Sequence, residues 1–356
     1  MKVLIVDTVS YNRAPYLQYY INACKEKKVP FDLFLWNRDS QGGLKQNKNI
    51  YTLNCVCPFG GSKLKKILPM LKYRKALLKT IKKNRYTHLV LINTLAPVMI
   101  SSYVLKYFKG RYLIDIRDYT YEKIPYYKKI ENQLIQNSRF TTISSKGFLE
   151  FIDYNSKIIV NHNISNIEQA IEKITLGAEN PVRIGFVGSV RYPKENIKLI
   201  EALNGKNFLL KYVGPEVEGC NLQKYCQERR ITNVIFQGKF ENRDKEVIYR
   251  GIDIINSLYG DFSLEVTTAV PNRYYDALLF KKPIIASKGT YLGKLVEENG
   301  LGLSIDLAQE DIENKLTEYL KRFNTAQFLT NCHQALESIM VEQNNFYRQI
   351  QRFVQY

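Results

Sequence analysis

A chain of 356 residues is too long for one ordinary core and predicts two domains, and a hydrophobic fraction of 45% supplies material for both. No run approaches the roughly 20 apolar residues of a membrane span, and residues 1–7 read as a strand that meets acid and polar residues rather than a signal peptide, so a cytosolic protein is expected. The six cysteines are scattered, with no Cys-x-x-Cys pair, which argues against a zinc site or a disulfide framework. The net charge of +18 is unevenly spread: residues 1–180 carry +16 and residues 181–356 only +2, so one half of the protein faces something anionic.

In chain order, apolar β-branched runs predict strands at 2–6, 31–36, 50–55, 87–92, 111–116, 140–143 and 157–160. Helical stretches fall near 14–27, 63–83, 96–108, 122–137 and 145–152. Such alternation is the pattern of a parallel sheet covered on both faces, a Rossmann-like domain over residues 1–163. The periodic pattern lapses over 164–181, which reads as a linker. It restarts with strands at 182–187, 208–213, 234–236, 252–256, 283–286 and 302–305, a second Rossmann-like domain over 182–335. Helices at 312–323 and 326–354 close the chain, and the aromatic-rich last segment, 336–356, needs a surface to cover.

Residues 63–85 hold ten Lys/Arg and no acid, interleaved with an apolar stripe and interrupted by Pro69. A basic amphipathic helix of this kind suits an anionic membrane surface, and the same pattern also suits a core-facing helix with a solvated basic back.

Three places carry candidate chemistry. After the strand at 182–187, Gly188 and Ser189 allow close backbone approach, Pro193 opens a helix, and Arg191 and Lys194 add mobile positive charge, together a diphosphate cradle. Residues 271–287 read as a loop, a helix opened by Pro271 or Asn272 and bearing Arg273 and Asp276, then a buried strand ending in a loop with Thr290; this is how open α/β sheets build nucleotide sites. In the first domain, Arg117 and Asp118 follow a strand end, as do Thr8, Asn12 and Arg13. A Gly-x-Gly-x-x-Gly fingerprint is absent, which argues against a hydride-transfer dehydrogenase. None of the three histidines, His88, His162 and His333, is placed as a general base.

The series resembles the family 4-like glycosyltransferases of bacterial capsular, exopolysaccharide or O-antigen synthesis. Arg273 stands where that family has Lys, Asp276 where it has the second Glu of Glu-x7-Glu, and Thr268 where the first would be. Tyr212-Val213-Gly214 resembles the turn beside the nucleobase, and Phe236-Gln-Gly238 the element that follows it. Asp115-Ile-Arg117-Asp118 and the stretch from Glu131 to Ser144 resemble first-domain elements.

The resemblance implies a GT-B fold, two Rossmann-like domains facing across a cleft with the C-terminal helix returning to the first. It implies a retaining transfer from a nucleotide-diphosphate sugar, with UDP the expected nucleotide, to a lipid-diphosphate-linked glycan. Arg191, Lys194, Arg273 and Asp118 would be catalytic. Gly188, Ser189, Tyr212, Gly214, Gly238, Asn272, Asp276 and Thr290 would bind the donor, and Thr8, Asn12, Arg13 and Arg117 would lie on the acceptor side. No metal or other cofactor is implied, and the expected location is the inner face of the plasma membrane. Two other readings are a GT-B sugar-nucleotide epimerase, which needs acid/base residues in its cleft, and a basic nucleic-acid or membrane-binding protein without catalysis; the charge lies on an amphipathic segment without an aromatic RNA-reading motif, so no nucleic-acid partner is expected.

Overall fold

The computed structural model describes residues 1–38, 49–57, 63–164, 181–260 and 262–355. The chain divides into two compact units, one made of Met1–His162 with Met340–Tyr356 and the other of Asn163–Ile339. The segment read as a linker lies outside the described residues except at its ends.

In the first unit, strands β1 (Val3–Val6), β2 (Phe31–Asn37), β3 (Ile50–Asn54), β4 (His88–Ile92), β5 (Tyr112–Ile116), β6 (Phe140–Ile143) and β7 (Ile158–Val160) form one sheet in the order β3-β2-β1-β4-β5-β6-β7. Every pairing is parallel. The helices are α1 (Leu17–Glu26), α2 (Lys63–Asn84), α3 (Leu95–Met99), α4 (Ser101–Tyr107) and α5 (Pro125–Asn137). The stretch expected as one helix over 96–108 is two, divided at Ile100, which is fully buried and leaves the helical region at φ −113° and ψ 18°. α5 starts three residues later than expected because Pro125 takes its first position and holds Ile124 extended.

α2 runs unbroken through Pro69. Its Tyr73, Leu77 and Ile81, spaced i, i+4 and i+8, are buried, while Ile67, Leu68 and Leu71 near its start are more than half exposed.

In the second unit, β8 (Val182–Val187), β9 (Phe208–Val213), β10 (Val234–Gln237), β11 (Ile254–Ser257), β12 (Ile284–Ser287) and β13 (Gly302–Ile305) form a second parallel sheet, ordered β10-β9-β8-β11-β12-β13. Its helices are α6 (Pro193–Leu203), α7 (Leu222–Glu228), α8 (Lys245–Arg250), α9 (Leu264–Thr268), α10 (Asn272–Leu279), α11 (Tyr291–Glu298) and α12 (Ile312–Arg322). Strand order reverses between β1 and β4 in the first sheet and between β8 and β11 in the second, and crevices at such switch points are where open α/β sheets bind ligands.

The last helix, α13 (Thr325–Phe353), serves both units. Its Phe328 and Cys332 join the core of the second. Its Phe346, Ile350 and Phe353 are buried in the first, where Phe346 meets Tyr19 and Tyr20 edge-on at 5.9 and 5.8 Å.

The inner face of α5 holds an anomaly. Glu131 is 1% exposed, and among the described residues neither carboxylate oxygen has a hydrogen-bond partner. Burial, reinforced by Glu122 and by Asp153 and only partly opposed by Lys128, pushes its carboxyl up to about 8. A carboxyl whose folded-state pKa is raised binds its proton more tightly in the folded chain, so this part of the stability is full below about pH 4.5 and is lost as pH climbs to about 8. Glu131→Gln should therefore melt like the wild type at pH 4 and be more stable by roughly 5 kcal/mol at pH 9. Thermal unfolding at both pH values checks this, and equal melting of the two proteins at pH 9 contradicts it.

Candidate functional site

At the switch point of the second sheet lies a cavity of about 350 Å³. Its wall joins the loop after β8 (Gly188, Ser189, Arg191, Tyr192), Tyr259 beyond β11, the start of α10 (Pro271, Asn272, Arg273, Asp276), and Phe240, Asn242 and Lys245. Gly188 adopts φ +127° and Gly214 φ +136°, and a Cβ on Gly214 would strike the Gly188 carbonyl. The two loops thus touch through backbone alone, which is what only glycine permits here.

Arg273 is the most constrained group in the cavity. Its side chain is nearly buried, and its guanidinium carbon lies 3.9 Å from the centroid of the Phe186 ring and 5.1 Å from that of Tyr259. Nε donates to Ser257 Oγ at 3.2 Å, Nη1 to the Val187 carbonyl at 3.2 Å and Nη2 to the Tyr259 hydroxyl at 2.7 Å. A guanidinium has five N–H groups, so among the described residues two are left without a partner and can meet an anion, in a fork that cannot swing away. Arg191 lines the same cavity but is exposed. Between it and Pro193, Tyr192 takes the left-handed conformation at φ 59° and meets Tyr259 edge-on at 5.0 Å.

One turn along α10 from Arg273, Asp276 is 5% exposed. Lys245 Nζ lies 2.9 and 3.0 Å from its two oxygens, and the Tyr249 hydroxyl donates to Oδ2 at 2.8 Å. Asn272 accepts from the Asn163 amide at 2.5 Å.

The expected donor residues separate accordingly. Gly188, Ser189, Arg191, Asn272, Arg273 and Asp276 share the cavity wall. Lys194 sits exposed in the first turn of α6, and it is not among the cavity residues. Tyr212 turns inward: it is 1% exposed, lies between Phe186 and Phe236 at 5.9 and 5.3 Å, and donates to Asn196 Oδ1 at 3.0 Å. Gly214 acts through its contact with Gly188, and Gly238 precedes the turn that delivers Phe240 and Asn242. Thr290 caps α11, accepting from the Gly293 amide at 3.0 Å and donating to the Ser287 carbonyl at 2.7 Å. Thr268, at the missing first acid, is fully buried and bonded to the Leu264 carbonyl.

In the first unit, Arg117 also faces inward. It pairs with Asp115 at 2.8 Å beneath the Tyr16 ring, 4.8 Å away. Asp115, fully buried, accepts from the Tyr20 and Thr142 hydroxyls at 2.6 Å each. Asp118 just beyond is exposed, as are Asn12 and Arg13 in a short turn, whereas Thr8 is buried. The Thr8 amide donates to Asp7 at 2.6 Å and the Tyr16 hydroxyl at 3.0 Å, and burial outweighs both, pushing the Asp7 carboxyl up to about 7.

Phe240 closes the turn that opens at Phe236 and Gly238, whereas Lys245, Tyr259 and Asn242 reach the cavity from stretches with no motif of their own.

Comparison with known protein families and with curated proteins finds no match. Among solved structures, sucrose-phosphate synthase from Thermosynechococcus elongatus aligns with a TM-score of 0.68 at 15% identity over 98% of this chain and 99% of that one. HepE of Anabaena, in complex with UDP-glucose, aligns at 0.64 and 16% identity over 100% and 99%. The lipopolysaccharide outer core galactosyltransferase WaaB aligns at 0.58 and 15% identity over 95% and 99%. This whole-chain likeness shows a GT-B fold.

Proposed function

We propose that the protein is a glycosyltransferase that moves a sugar from a nucleotide-diphosphate donor, UDP the expected nucleotide, to a lipid-diphosphate-linked glycan in surface polysaccharide synthesis, retaining the anomeric configuration and needing no metal ion. The observation that carries this reading is Arg273, a caged guanidinium with two free N–H groups beside the Gly188 backbone in a cavity at the switch point of the second sheet. HepE, a neighbour in fold, is described with UDP-glucose bound.

In the transfer, the bond from the anomeric carbon to the donor diphosphate breaks and negative charge builds on the departing oxygens. Charge that grows in the transition state is best met by donors already in place. Arg273 supplies a fixed fork and Arg191 a mobile cation, with Lys194 held in reserve on α6. Asp118, Asn12 and Arg13, exposed on the first unit, are the groups proposed to meet the acceptor. The epimerase reading is weaker, because among the described residues the cavity is lined by no histidine and by one acid, Asp276, which is engaged by Lys245 and Tyr249.

The test is transfer from radiolabelled nucleotide sugars to a lipid-diphosphate acceptor. Arg273→Ala and Arg191→Ala should each lower turnover about a hundredfold, equivalent to about 2.7 kcal/mol of lost charge stabilisation, with circular dichroism confirming the fold. Near-normal rates in both variants dispose of the phosphate site. Activity should also survive a chelator, and NMR of the product should find the donor's configuration kept; inversion, or a loss restored by magnesium, counts against the mechanism.

We further infer that α2 docks the protein on an anionic membrane surface at the inner face. Among the described residues no helix is long and apolar enough to cross a membrane. Ile67, Leu68 and Leu71 are exposed at 52%, 62% and 55%, and Lys65, Lys72, Lys75 and Lys79 are exposed around them and further along the helix. Exposed apolar groups amid lysines fit the headgroup boundary of an anionic leaflet, where each cation contributes about 1 kcal/mol, screened by salt. Replacing Lys65, Lys66, Lys72, Lys75 and Lys79 with Gln should abolish co-sedimentation with anionic liposomes at physiological salt and spare turnover on a short soluble acceptor. Undiminished co-sedimentation would show that α2 is not the membrane contact.

A further inference from the structure

The loop between β5 and α5, with the first turn of that helix, ties three tyrosines into the unit and leaves two apolar side chains outside. The Tyr119 ring meets Phe151 edge-on at 5.2 Å, and its hydroxyl accepts from the Lys123 amide at 2.8 Å. Tyr121 meets Tyr127 edge-on at 5.7 Å, and its carbonyl accepts from the Ile124 amide at 2.8 Å. Tyr127 is buried, with its hydroxyl 2.7 Å from that of Thr94. On a turn so tied, Ile124 and Tyr126 stand 45% and 74% exposed. An apolar pair displayed by a built turn needs a surface to cover it.

The placement of this turn points to the kind of surface. α2 leads into the amino end of β4, so it starts at the opposite rim, by the carboxyl ends of the strands, and the 119–126 turn follows the carboxyl end of β5. Both elements pack on α3: Arg74 Nε of α2 donates to the Met99 carbonyl at 2.8 Å, and Thr94 at the start of α3 meets Tyr127. Right-handed crossovers from β3 to β4 and from β5 to β6 also put α2 and α5 on one face of the sheet. Ile67, Leu68 and Leu71 in the first turns of α2 thus share a rim and a face with Ile124 and Tyr126. The charge around the turn has the sign of α2: Lys123 and Lys129 are exposed, and Glu122, the one acid of residues 119–129, is buried. Apolar groups amid cations on two neighbouring elements fit an anionic bilayer, where a tyrosine can keep its ring against acyl chains and its hydroxyl among headgroups.

We propose that the 119–126 turn is a second membrane contact, which inserts Ile124 and Tyr126 into the anionic leaflet that α2 meets and so turns the carboxyl-end rim of the first sheet toward the lipid. This rests on the membrane reading of α2 above. One helix on a surface is free to roll about its axis, and a second, separate contact fixes the orientation. Asp118, exposed in the same loop, is thereby brought to headgroup depth, where the diphosphate of a lipid-linked acceptor lies.

Co-sedimentation with vesicles of phosphatidylcholine and phosphatidylglycerol tests it, on the wild type, on Ile124→Ser combined with Tyr126→Ser, and on the variant that replaces the five α2 lysines with Gln. The serine variant should partition about tenfold more weakly at physiological salt, with an unchanged circular dichroism spectrum because both positions are exposed. Tyr126→Trp adds an indole to a chain whose one tryptophan, Trp36, is fully buried, and vesicles with brominated acyl chains should quench the added emission alone. Undiminished partitioning of the serine variant, or an added emission that bromine leaves unchanged, overturns the proposal; if the Gln variant has lost binding in the same experiment, the α2 reading stands without it. If the wild type binds no vesicle, the α2 reading falls and this proposal with it.

Discussion

A parallel sheet covered by helices on both faces has little room for polar side chains except past the ends of its strands. Both units obey that constraint. The burial of β1, β4 and β5 is complete along their length, and Asp7, Asn93 and Arg117 appear at or just beyond their carboxyl ends. In the second unit the same rule puts Gly188 after β8 and Tyr259 after β11. Strand order then reverses between these ends, so that no crossover helix fills the gap. The cavity is where the sheet's own topology leaves space.

What fills the rim of that space is costly to keep there. A guanidinium and a carboxylate at a few per cent exposure must each be bonded on nearly every side, and the structure spends a good deal of its polar inventory on doing so. Ser257, Tyr259 and the Val187 carbonyl hold Arg273; Lys245 and Tyr249 hold Asp276. These partners come from three separate segments, the end of β8, the end of β11 and α8, so the geometry of the site depends on the packing of the second unit.

The strands were legible because parallel strands buried on both faces are runs of Val, Ile and Leu, as in Ile284–Ser287. Gly188, Arg273 and Asp276 were legible because a glycine after a strand and charges at a helix start are local signals. Lys245 was not, since it meets Asp276 across 31 residues and only the tertiary fold joins them. Tyr212 misled for a physical reason: on a strand covered on both sides, either face leads into core. Thr290 misled because a Thr at a loop end reads equally as a ligand contact and as a helix cap. Asp115, near the end of β5, and Arg117, just beyond that end, stand two residues apart and pair with each other instead of facing a ligand.

The sharing of α13 between the two units bears on how the chain folds as it is made. Proteins emerge from the ribosome amino end first, and domains ordinarily fold in that order. Here the first unit lacks Phe346, Ile350, Phe353 and Val354, part of its innermost packing, until everything up to residue 339 has been synthesised. The nascent first half must therefore wait with Tyr19 and Tyr20 short of their aromatic partner. Its completion therefore follows the synthesis of the second unit, which comes after it in sequence.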